Sequence, residues 1–168
     1  MKPVYITHSA ISLALIFVFF SIFRGTTNIL NSMLVPLVLY LNMRKQDLKS
    51  TVTTMMGMVI LCGVFFKFQI FFAILYGLMA LLLQKTLTGE KPFLLKAIIL
   101  SLGTWIGFAV TIYITDFILG TNIMTALYSM MGGWYAGVFL LITIEAVIVG
   151  LTLTIVPPFV EKRLRFND

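Results

Sequence analysis

The feature that most constrains this chain is a succession of apolar runs separated by short breaks rich in Lys and Arg. An α-helix rises about 1.5 Å per residue and the hydrocarbon core of a bilayer is about 30 Å thick. About 20 apolar residues therefore make one crossing. On that ruler the 168 residues have room for at most about six or seven crossings and no extramembrane domain. Composition agrees: 60% of the residues are hydrophobic, 11% are charged, and mean hydropathy is +1.06. Soluble domains run near 45–50% apolar and about 25% charged, and disordered segments are poor in apolar residues and aromatics. Both classes are excluded.

The breaks divide the chain into six expected spans, at about 5–23, 28–43, 50–66, 69–84, 95–119 and 134–159. The first follows Lys2 but ends in Phe23-Arg24-Gly25, which lacks the small-x-small site of a cleavable secretory signal, so it reads as a retained helix. The stretch Ser50–Gln84 is too long for one crossing and carries Lys67 and Gln69 near its middle, so it reads as two helices joined by a tight turn. Gly120–Gly133 is too short to cross and reads as a capping loop or interfacial helix. The fold class expected is an all-α, polytopic six-helix bundle forming a single transmembrane domain.

An even number of spans places both termini on one side, and the positive-inside rule says which. Lys2, Arg44, Lys45, Lys49, Lys85, Lys91, Lys96, Lys162, Arg163 and Arg165 fall on the N-terminal side, whereas only Arg24 and Lys67 fall opposite. The termini are therefore expected in the cytoplasm, with the chain in a bacterial plasma membrane. The net charge of +6 is then mostly topogenic and gives no reason to expect nucleic acid.

Catalytic signatures are missing. The chain has no H-E-x-x-H, no G-x-S-x-G and no Walker-type phosphate loop. His8 and Asp116 belong to opposite ends of their spans, too far apart to share a proton. With one His and one Cys, Cys62, neither a disulfide nor a metal set is available. No enzyme activity, cofactor or metal is expected.

Ionisable residues at membrane depth usually face the bundle interior or a wet cavity. Lys67 and Asp116 fall at the outer side, with Arg24, and Glu145 lies near the middle of the sixth span. Polar and aromatic residues crowd the same side: Asn28 and Asn31 at the start of span 2, and Asn122, Tyr128 and Trp134 between spans 5 and 6. Trp105 and Tyr113 lie deeper on span 5. Aromatic walls with a few polar groups suit a small organic ligand, so these residues are the candidate lining of an outward-open cup. Headgroup anchoring competes for Trp134, snorkelling for Lys67, and local satisfaction by Thr115 or backbone for Asp116. For Glu145 burial disfavours the charged form. It is therefore either a neutral, hydrogen-bonded acid or an ion matched by Lys67 or by a cationic, amine-bearing ligand. Ala10 and Ala14 form a small-xxx-small pattern on span 1, suited to close helix approach within the bundle or with a partner. Gly57, Gly63, Gly103 and Gly107 are weaker cases.

Six short spans, the A-x-x-x-A at Ala10 and Ala14, the run Val35-Pro36-Leu37-Val38-Leu39-Tyr40 before a basic loop, and a basic tail resemble the S components of energy-coupling factor (ECF) transporters. The resemblance covers nearly the whole chain. It implies a subunit that captures a vitamin or similar micronutrient from outside, beneath the outer loops and against spans 4 to 6. It further implies docking through Ala10 and Ala14 on a membrane coupling subunit served by two ATPases. The chain is also similar to the MreD family of cell-shape proteins, which would make it a scaffold or assembly partner in the cell envelope. A fainter likeness is to the YybS-type membrane proteins.

Overall fold

A computed structural model of the protein describes residues 3–23, 29–46 and 48–163. Among the described residues the chain forms seven α-helices and one turn of 3-10 helix, with no strand. They are α1 (Pro3–Ile22), α2 (Ile29–Lys45), α3 (Leu48–Phe65), the 3-10 turn Lys67–Gln69, α4 (Ile70–Leu87), α5 (Phe93–Leu119), α6 (Ile123–Met130) and α7 (Tyr135–Arg163). The helical stretches 4–22, 67–87, 93–119 and 135–163 are long and apolar enough to cross a membrane, while α2 and α3 are apolar but shorter.

Local chemistry explains the boundaries. Lys67 and Gln69 interrupt an apolar run, and the backbone closes there through an N–H of Gln69 to the Phe66 carbonyl at 2.6 Å. Pro92 in extended backbone precedes α5, where its missing N–H costs nothing. Gly120 ends α5 in the left-handed conformation (φ 63°), which glycine adopts without a Cβ penalty. Pro36 sits inside α2, and Pro157 and Pro158 inside α7. Helices of this environment tolerate such breaks when neighbouring helices shield the freed carbonyls, and Pro36 and Pro157 are buried.

The core gathers Phe20 of α1, Val35 and Leu39 of α2, Met58 of α3, Tyr76, Met79 and Leu83 of α4, Leu100 of α5, and Val138, Val149 and Leu153 of α7. The longest helices, α5 and α7, meet closely at Gly150, where a Cβ would stand 2.6 Å from the backbone nitrogen of Ser101. Gly103 and Gly107 of α5 receive the side chains of Leu82 and Leu75 from α4. These two glycines therefore serve packing within the bundle.

Two ends can be told apart. One gathers the start of α1, the α2–α3 connection, the α4–α5 connection and the end of α7, with Arg44, Lys49, Lys85, Lys91, Lys96, Lys162 and Arg163. It is called the basic end here. The other holds the 3-10 turn and α6. At the basic end a buried polar network ties α1, α2 and α3 together. Ser9 Oγ donates to Gln46 Oε1 (3.2 Å), Thr54 Oγ1 donates to Ser9 Oγ (2.9 Å), and Asn42 Nδ2 donates to Thr54 Oγ1 (3.2 Å). Gln46 Nε2 donates in turn to Asn42 Oδ1 and to the Tyr5 carbonyl. Beside it, Glu161 Oε1 accepts from Tyr40 Oη (2.8 Å) and from Arg44 Nε (2.9 Å), fastening α7 to α2.

Candidate functional site

The residues expected to line a cup do not converge on one cavity. Tyr113 is 72% exposed, stacked on Phe117 on the outer face of α5, with ring centroids 6.4 Å apart. Aromatic residues on a lipid-facing surface pack with each other and with lipid, and Tyr113 does not line an interior. Trp134 is also exposed, beside the ring pair Tyr128 and Tyr135, tilted by 31° with centroids 4.2 Å apart. Asn122 is exposed and precedes α6 without a side-chain capping bond. Asn28, like Arg24, lies outside the described residues.

Asp116 has a local task. Its Oδ1 accepts from Thr121 Oγ1 and from the Ile123 N–H (2.8 Å), and its Oδ2 accepts from the Met124 N–H (2.9 Å). These are the free N–H groups of the first turn of α6, the place where a carboxylate is most useful electrostatically. Both oxygens are occupied, so Asp116 holds α6 across the end of the bundle. Thr115, the partner considered for it, instead bonds the Thr111 carbonyl at 2.6 Å. Lys67 is exposed and places its Nζ 5.9 Å from the Phe68 ring centroid. It is not the ion partner of Glu145, since the one ion pair among the described residues joins Arg44 and Glu161.

Three of the expected residues lie deeper. Asn31 is fully buried and donates from Nδ2 to the Phe23 carbonyl at 3.1 Å, linking α2 to the end of α1. Trp105 donates from Nε1 to Thr143 Oγ1 at 3.0 Å across a groove between α5 and α7, of about 320 Å³, that Ser101, Leu102, Ala146 and Val147 also line. Glu145 sits half-buried midway along α7, next to the fully enclosed Ala146. No hydrogen bond or ion pair reaches it from the described residues.

The residue that sequence reasoning missed is Tyr76. Its side chain is 0% exposed on α4, and its hydroxyl finds no hydrogen-bond partner among the described residues. Its helix, α4, also touches α7. Around the Tyr76 ring stand Phe20, at 6.0 Å between centroids, and Phe72, at 6.5 Å, with Phe66 stacked on Phe20 at 5.8 Å. Gln69, two turns before Tyr76, keeps a buried Oε1 that is also without a partner. An aromatic residue in an apolar helix reads as packing, and only the missing partner for its hydroxyl sets Tyr76 apart.

The chain matches no protein-family model, no characterised protein and no solved structure.

Proposed function

We propose that the chain is the substrate-binding subunit of an ECF-type importer in a bacterial plasma membrane. In this reading α1 to α5 and α7 are six spans, both termini are cytoplasmic, and the basic end faces the cytoplasm. The protein is not an enzyme; it captures a vitamin-like micronutrient from outside. A membrane coupling subunit and two ATPases complete the cycle. The observation that carries the reading is the face of α1. Ala10 and Ala14 are both exposed, turned away from α2 and α3. Moreover, α1 is the least covered of the four long apolar stretches, with 17% buried against 33% to 50% in the others. Small residues on a lipid-facing stripe permit close approach of another helix, and the Ser9 network fixes the direction in which that stripe points.

The test is co-purification from the native membrane. Ala10→Leu with Ala14→Leu fills the stripe without touching the bundle core, so the variant is expected to keep its thermal stability while losing the coupling subunit and the ATPases. Loss of stability together with partner binding, or retention of the partners, ends this reading.

A scaffold in the cell envelope, similar to MreD proteins, is the second reading. It is favoured by the dispersal of Tyr113, Trp134 and Asn122 over exposed positions, because a scaffold needs no converging cup. It predicts that the partners lost from the double variant are cell-envelope proteins rather than ATPases.

A further inference from the structure

We propose that the hairpin of α3 and α4 holds one anionic phospholipid, with its phosphate at Lys67 and one acyl chain in the groove that follows. The proposal goes beyond the importer reading and needs only that the hairpin stand against bilayer lipid. Two cavities follow one another along this hairpin. The first, of about 300 Å³, lies at the 3-10 turn and is lined by Phe65, Phe66, Lys67, Phe68 and Gln69. The second, of about 290 Å³, opens between the helices, where Met55, Met58 and Val59 of α3 and Ile74, Leu78 and Leu81 of α4 line it. All of its lining residues are apolar. Both are reached from the outside of the bundle: Lys67 and Phe68 are exposed at the first, and Met56, Ile60 and Leu78 at the second. A lipid therefore enters sideways and displaces no part of the core.

Spacing fits the two cavities to one molecule. Lys67, Ile74, Leu78 and Leu81 recur at i, i+7, i+11 and i+14, and so share one stripe along the turn and α4. Ile74 lies about 10 Å beyond Lys67 on that stripe. The headgroup layer over the hydrocarbon is about 5–8 Å thick, so a phosphate held at the turn sets its acyl chain at the mouth of the groove. From Ile74 to Leu81 the groove follows α4 for about another 10 Å. Met55 and Met58 give it unbranched, adaptable walls, which suit a flexible chain, whereas a helix is about 10–12 Å across. Charge selects the headgroup. Lys67 takes part in no ion pair among the described residues, and Asp116 at the same end spends both oxygens on Thr121 and the start of α6. A zwitterionic lipid brings its own cation to its phosphate. An anionic lipid brings none, and its phosphate is matched by Lys67.

The test is photo-cross-linking of the full-length protein in phosphatidylcholine nanodiscs. These carry a trace of phosphatidylglycerol or of phosphatidylcholine with a photoactivatable diazirine in one acyl chain, and labelled peptides are mapped by mass spectrometry. Phosphatidylglycerol is expected to label residues 55–60 and 73–81 about fivefold more than phosphatidylcholine, the weight of one lysine near an anionic headgroup. Lys67→Gln, at an exposed position, is expected to keep the parent's Tm and to bring the two lipids to equal labelling. Lys67→Arg keeps the charge and should keep the preference. Lys91→Gln removes a lysine from the basic end and should also leave the preference intact. Equal labelling by the two lipids in the parent protein or in Lys67→Arg overturns the proposal, as does a preference that survives Lys67→Gln or is lost in Lys91→Gln. Cross-linking of the groove to a second copy of the chain in place of lipid overturns it as well.

Discussion

At the basic end, Ser9, Asn42, Gln46 and Thr54 meet one another's donors and acceptors across three helices, while Tyr40, Arg44 and Glu161 do the same across α2 and α7. Towards the turn end of α4 the buried hydroxyl of Tyr76 and the amide oxygen of Gln69 have no partner among the described residues, and Glu145, midway along α7, has no ion pair. Both regions bury polar groups, yet only one satisfies them. A completed network specifies one arrangement of its helices. Groups left open are a standing cost to the fold. The comparison assigns fixation of the bundle to the basic end and leaves the unpartnered groups outside that task.

Removing a side chain should therefore act with opposite sign at the two ends. The largest effect is expected at Asn42, which both donates to Thr54 and accepts from Gln46. Asn42→Ala removes both bonds and should destabilise the protein by about 2 kcal/mol, given about 1 kcal/mol per bond and modest values within membranes. Unfolding in a denaturing detergent series reads this directly. A smaller effect of the other sign is expected from Tyr76→Phe, which deletes an unsatisfied hydroxyl and keeps the ring. Without ligand the variant should gain about 1 kcal/mol in the same assay. If it loses stability instead, the hydroxyl is satisfied in the membrane and the contrast between the ends disappears. The smallest change belongs to Glu161→Gln. The Arg44 side chain is 40% exposed and that of Glu161 20%, so the pair is worth about 0–1 kcal/mol. The amide can still accept from Tyr40, and a shift no larger than that is expected.

The helices were legible because their signals are local. Lys67 and Gln69 in an apolar run announced a break between two helices, Gly120 announced the end of α5, and the Gly- and Thr-rich stretch after it held the short α6. The site was legible only in part. Glu145 stood out because a charge amid Ile144, Ala146 and Val147 is unusual in any register. Tyr113 could not be told from an inward residue, since apolar residues surround α5 and only the small hydroxyls of Thr104, Thr111 and Thr115 mark its buried face. Asp116 required three dimensions as well: its partners lie five to eight residues onward, across a turn whose path the composition does not specify. The basic-end network did leave a trace. Ser50 and Thr54 on α3, and Asn42 on α2 with Gln46 just past its end, recur at a spacing of four, which sets each pair on one side of its segment. Reading that region only as a charged loop obscured it.

Gly150 carries a different lesson. Its hydrogen occupies the space where a methyl group would meet the backbone of Ser101, and neither helix can yield by rotating a side chain. A survey of every substitution along the chain would record strong intolerance here, at a residue with no chemical group to offer a solute, and leniency at Tyr113, whose ring faces outward. In this protein, sensitivity to replacement traces where helices touch rather than where a molecule is held, and a map of one should not be mistaken for a map of the other.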